Sequence, residues 1–213
     1  MPTMTVEERV KDIKQSFRQL MDGAVAQSMR NKGVDYKLSW GATMPRLREM
    51  ADELCSSIAD DERYALAVAL WKENVRECKL LATMLMPPAR MLPEVCDIWM
   101  EQMPTQEMAE QAAFHLWQHL PYAPQKAYQW IASDKELYQL CGFHVLTRLF
   151  MRGQQPNERG INEFIDQAIA ALQGPSLAVR KAALQSISRF AGLGLVYERM
   201  ARSALKGSHL DLL

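Results

Sequence analysis

Leu70-Trp71-Lys72-Glu73-Asn74-Val75-Arg76-Glu77-Cys78-Lys79-Leu80-Leu81-Ala82-Thr83-Met84-Leu85 is the stretch that decides how this chain folds. Val75, Cys78, Leu81, Ala82 and Leu85 recur at i, i+3, i+6, i+7 and i+10, one apolar face of an α-helix. Arg76, Lys79 and Thr83 fall on a different face, so the same helix is expected to carry a basic strip. Trp71 closes the helix before it. A lone helix cannot bury so wide an apolar face, and others must stack on it.

The same periodicity fills the chain on both sides. Thr5 and Glu8 form a capping box, with a helix expected from there to about Arg30 and a stop at Asn31-Lys32-Gly33. A loop over 34–43, carrying Tyr36 and Trp40, leads to a helix opened by Pro45. Asp60, Asp61 and Glu62 stand at the next N-terminus, where the helix dipole favours acids. Pro87-Pro88 ends the central helix, and Pro93 starts another. Further helices are expected over 106–119, 123–130, 136–152, 158–172, 176–191 and 195–205, with Ser133 to Glu136 as a second capping box. No window alternates as a strand. Helices of about 10–16 residues joined by about 2–5 suit antiparallel pairs. Successive pairs start every ~30–45 residues, the spacing of HEAT-type repeats.

Composition bounds the function. The chain has 213 residues, enough for one domain with a full core, and is 48% hydrophobic and 23% charged, ordinary for a water-soluble fold. No apolar run reaches the ~18 residues of a spanning helix, and the N-terminus has no apolar leader core. Cys55, Cys78, Cys96 and Cys141 lie far apart among apolar residues and are expected as free thiols. A cytoplasmic protein without membrane partner, metal or cofactor is the expectation. Net charge is zero but unevenly spread. From Met91 to Val145 there are seven acids and two bases, and from Leu146 to Lys206 nine bases and four acids. A nucleic-acid surface would therefore draw on the C-terminal part, with Arg148, Arg152, Arg180 and Lys181, and on the Arg76/Lys79 strip.

Several constellations invite chemistry. His115 and His119 sit at i and i+4, a metal-ligand spacing, but Leu-Trp-Gln between them lacks the glutamate of a zinc hydrolase, so a solvated face is the favoured reading. Glu107 and Glu110, with Glu101 before them, offer carboxylates for a general base or for stabilising a cationic sugar, against an ordinary acidic face. Trp130, Tyr122 and Tyr128 beside Lys126 suit base stacking, though packing into the core is the commoner use of such aromatics.

Three stretches together resemble the DNA alkylation repair family. They are the Leu70-Trp71 … Arg76-Glu77 … Leu80-Leu81-Ala82 run; the loop at Gly41 followed by Pro45-x-Leu47-Arg48-x-x-Ala51; and Val179-Arg180-Lys181-Ala182. They span Gly41 to Arg189. The resemblance implies an all-α fold, a right-handed α-α superhelix (curved solenoid) of HEAT-like antiparallel helix pairs. It is expected as one domain, with residues 1–40 an N-terminal helix and loop, 41–206 the repeats and 207–213 a tail. It also implies duplex DNA as partner and alkylpurine DNA glycosylase chemistry, a base-excision repair reaction.

The family's catalytic pattern is incomplete here. Its Trp-Asp-x-x-Asp stretch matches Gln106-Glu107-Met108-Ala109-Glu110, leaving Glu110 as the carboxylate and no tryptophan. Its Trp-Arg pair matches the Tyr138 to Cys141 stretch, with no arginine, and Gln185 stands where a further tryptophan follows Val-Arg-Lys-Ala. Those aromatics hold a cationic base by cation–π contact. The sequence therefore points to duplex DNA binding with weak or absent glycosylase chemistry. The alternatives are an active alkylpurine glycosylase using Glu110 and a protein-interaction scaffold.

Overall fold

The computed structural model describes residues 4–31, 36 and 38–208. Among these are twelve α-helices: α1 Val6–Gln19, α2 Gly23–Asn31, α3 Met44–Ser57, α4 Asp60–Lys72, α5 Arg76–Leu85, α6 Pro93–Glu101, α7 Gln106–His115, α8 Ala123–Ile131, α9 Glu136–Met151, α10 Glu158–Gln173, α11 Leu177–Ala191 and α12 Leu195–Gly207. Short 3-10 turns occupy Pro88–Arg90 and Trp117–His119. The extended pairing among the described residues is one isolated bridge, Leu38 to Val75. The helices divide into two compact units, Met1–Leu116 and Trp117–Leu213.

Most helix limits fall where capping chemistry puts them. Thr5 and Glu8 close a full capping box on α1. Asn157 and Ser176 cap α10 and α11 through their side chains. Gly153, at φ 77°, ends α9. Its N–H reaches the Phe150 carbonyl at 2.9 Å and the Gln154 N–H reaches Leu149 at 3.0 Å, the two bonds of a Schellman stop.

Three expectations need correction. The first helix does not run through to Arg30. It stops at Gln19, and Asp22 restarts the chain as α2 by accepting the Ala24 and Val25 N–H groups on its carboxylate, each at 3.0 Å. The expected stop reaches into Lys32 and Gly33, which lie outside the described residues. The helix expected over 106–119 ends at His115, because Leu116 leaves helical geometry (φ −127°, ψ −61°) and a 3-10 turn follows. Ser133 does not open a capping box: its hydroxyl accepts from Lys135 N at 3.2 Å, a local turn, and α9 starts at Glu136 without a side-chain cap.

In the first unit α5 packs against α3, α4 and α7, which buries it on every side. Leu80, Leu81, Ala82 and Leu85 of α5 and Leu66, Leu70 and Trp71 of α4 are buried in its core. Trp71 stacks on Trp99 of α6 at 4.2 Å between centroids and donates its indole N–H to Gln102. The second unit is layered. α9 and α11 pack side by side, and α8, α10 and α12 cover them. α9 and α11 run parallel, since Ser176 meets Glu136 at their N-terminal ends and Phe150 meets Phe190 at their C-terminal ends. Phe150, Phe164, Phe190 and Tyr197 pack edge to face or tilted through its core.

Candidate nucleic-acid interface

The central helix has no solvated basic strip. Arg76 is 1% exposed, Lys79 6%, and Glu77 and Thr83 are fully buried. Burying charge is costly unless each group is paired and hydrogen-bonded, and here each has partners. Arg76 grips Glu107 of α7 two-handed, Nε to Oε2 at 2.9 Å and Nη2 to Oε1 at 2.5 Å, and donates through Nη1 to the Ala42 carbonyl at 3.1 Å. Burial opposes its charge, but Glu107, by hydrogen bond and by charge, holds the guanidinium pKa above its ordinary value.

Glu77 collects the loop that precedes α3. It accepts from Gly41 N at 2.9 Å, Ser39 Oγ at 3.0 Å and Trp40 N at 3.2 Å, while Arg76 N donates to the Leu38 carbonyl at 3.0 Å. Gly41 must be glycine: its φ is +83°, and a Cβ there would stand 2.5 Å from the Asp22 carbonyl oxygen. Tyr36 completes the network, donating to Glu107 at 3.2 Å and accepting from Thr105 at 2.9 Å, with burial raising its phenol pKa. Lys79 donates to the Trp71 carbonyl at 2.7 Å and lies over the Trp71 ring at 4.4 Å. Burial pushes its amine pKa down.

Arg76 and Lys79 were expected to meet phosphate. Their charges point into the packing and are engaged there, so they build the fold instead. The Arg-Glu pair of the sequence motif is thus a buried clamp joining α5, α7 and the 38–42 loop.

Glu110 lies one turn beyond Glu107 on α7 and is half-buried. The two carboxylates divide in role. Glu107 pairs with Arg76, and Glu110 accepts from Gln106 Nε2 at 2.9 Å. Gln106 is the residue that stands where the family pattern has tryptophan, so an amide touches the carboxylate where an aromatic wall would be. His115 ends α7 and His119 belongs to the following 3-10 turn, so they are not one helical metal pair.

The other expected cations lie in the second unit, at two places. Arg148 and Arg152 share a face at i and i+4 near the end of α9, and Arg152 Nη1 lies 3.3 Å from His119 Nδ1. Burial, then the charge of Arg152, lowers the His119 pKa. Arg180 and Lys181 sit in the opening turns of α11, beside the start of α9. Because α9 and α11 are parallel, about nine residues, or roughly 13 Å of helix rise, separate these two pairs along the helices. Lys181 is exposed, and Arg180 is half-buried against its own helix start, donating to Gly174 O at 2.7 Å. Sequence reading did not single out Arg189, an exposed cation in the last turn of α11, at the same end of the layer as Arg152. Its sequence signal was its place in the basic C-terminal part of the chain. Trp130 packs edge-on against Trp117 at 5.5 Å and is buried, a core role as favoured.

Among the described residues no helix is long and apolar enough to cross a membrane, and none of the four cysteines is in a disulfide. No curated protein matches the chain by sequence. A solved structure, described as belonging to "a new family of proteins related to the HEAT-like repeat DNA glycosylases with affinity for branched DNA structures", matches with a TM-score of 0.77 at 16% identity, covering 93% of this chain and 82% of that one. That likeness shows the fold: the all-α class of HEAT-like helix pairs read from the sequence is the fold of this protein. The sequence profile of the DNA alkylation repair enzyme family matches residues 13–191, the great majority of the chain. The chain therefore belongs to the DNA alkylation repair enzyme family.

Proposed function

We propose that this protein binds DNA, branched DNA in preference to linear duplex, without excising a base. The observation that carries the second half is the Gln106–Glu110 contact. A glycosylase needs a carboxylate aimed at the sugar, where positive charge develops as the base departs. Glu110 is instead held along its own helix by Gln106, with neither tryptophan nor arginine in the matching positions. Groups that act as a unit in catalysis do not survive piecemeal loss.

Family membership and the likeness to a protein with affinity for branched DNA support the first half. Arg148, Arg152, Arg180 and Lys181 are the phosphate contacts under this reading. Two pairs about 13 Å apart along one layer suit a backbone that crosses it. Fluorescence anisotropy with a four-way junction and a linear duplex of equal length tests the reading. The junction should bind more tightly, and each phosphate-contacting cation removed should flatten the slope of log K against log salt by about 0.9. No binding to either DNA at low salt would leave the protein-interaction scaffold as the better account. An unchanged slope in Arg148→Ala/Arg152→Ala would remove that pair from the interface.

A further inference from the structure

The second unit holds a cleft of about 360 Å³ between α8, the end of α9 and the start of α10. That is the size of a small-ligand site, and its make-up is of the same kind, apolar walls with a few polar groups at the rim. Tyr128, Leu146 and Phe150 line it on the apolar side, and Gln125, Gln154 and Gln155 bring carboxamides. The Tyr128 ring is fixed, because its hydroxyl donates to the Gly160 carbonyl at 3.0 Å. The charged lining groups, Arg159 and Glu163, are of opposite sign and one helical turn apart, so the cleft has no net charge to attract an ion.

We infer that this cleft takes an unpaired adenine-type base. An aromatic wall provides a stacking surface that any base can use. Carboxamides pair two-fold with an adenine edge, one donor and one acceptor each. The Schellman stop at Gly153 fixes the backbone of Gln154, whose N–H bonds Leu149 O at 3.0 Å. The inference rests on the DNA-binding reading for its setting, an unpaired base at a branch point. The same chemistry also describes a free adenine nucleotide.

Two measurements separate these. In the first, side-chain amide NMR follows the protein during titration with dAMP and with deoxyadenosine. Saturable shifts of the Gln154 and Gln155 amides are expected with both. Gln154→Ala/Gln155→Ala should weaken both, and Tyr128→Phe, which keeps the ring, should retain binding. No saturable shift at the cleft with either ligand overturns the inference, whether or not the protein binds DNA. In the second, 2-aminopurine sits unpaired at the branch of a junction whose binding is followed by anisotropy. Quenching on binding that is lost in Gln154→Ala/Gln155→Ala, with anisotropy unchanged, assigns the cleft to DNA. Binding without quenching, with the dAMP shifts intact, assigns it to a free nucleotide. No junction binding at all defeats the DNA-binding reading and leaves the dAMP titration to decide the cleft.

Discussion

Replacing Arg76 by methionine separates a structural arginine from a phosphate contact. Methionine keeps an unbranched stem in the same space, so packing changes little and the charge is what goes. The Ala42 carbonyl loses its Arg76 hydrogen bond, and the Glu107 carboxylate, bound at 2.9 and 2.5 Å, and the nearby buried Glu77 lose their cation. Removing one member of a buried ion pair costs about 3–5 kcal/mol, because the remaining charge stays buried. That is a large part of a total stability of roughly 5–15 kcal/mol. With a urea slope of about 2 kcal/mol/M, the unfolding midpoint should fall by about 2 M. Arg76→Met/Glu77→Gln should cost less than its two single variants added together, by roughly 1–3 kcal/mol, since each removes the other's reason for being charged. A surface arginine that meets phosphate would behave otherwise, with stability unchanged within about 0.5 kcal/mol and a flatter salt dependence of DNA binding. A loss below about 1 kcal/mol in Arg76→Met would refute the clamp.

Leu81 is fully buried in the middle of α5, and Leu81→Ala should cost about 2–5 kcal/mol in the same titration, with a loss under half of one showing that the site collapses or is not core. Burial pushes the Cys78 thiol up from 9.0 to about 12, so the unfolded thiol ionises first as pH rises. That contribution to stability is complete below pH 9 and is lost between pH 9 and about 12, at roughly 1.4 kcal/mol per pH unit. Cys78→Ala should flatten stability against pH over that window, and an identical slope in the two proteins would count against a buried thiol.

The fold was legible because proline, glycine and capping residues mark helix ends independently of tertiary context. Thr5 with Glu8, Pro45, Pro93 and the Gly174-Pro175 break all stand at the limits they signal. Asp22 was harder to see, since Met21-Asp22-Gly23 falls inside a continuing apolar period and its capping depends on the loop that returns through Trp40. Its N–H bonds the Trp40 carbonyl at 2.9 Å. The basic strip failed for a different reason. Periodicity assigns polar residues to a solvated face, but a helix covered on all sides can carry charges whose partners come from distant segments. Glu107 lies 31 positions from Arg76, and the loop groups bound by Glu77 lie 36 to 38 positions away. No local pattern encodes such pairs. The division of Glu107 and Glu110 between Arg76 and Gln106 was hidden likewise, and so was the cleft, whose walls come from three helices.

The most direct test of binding without excision uses duplex DNA carrying 7-methylguanine, incubated with excess protein at low salt where the complex forms. Glu110 is one methylene longer than the family's aspartate, and a misplacement of about one ångström at a reacting centre can cost ~100-fold. With the aromatic and arginine partners also missing, free base should appear no faster than in the protein-free control. Release well above the spontaneous rate that disappears in Glu110→Gln would contradict the account and make Glu110 the carboxylate of a working glycosylase.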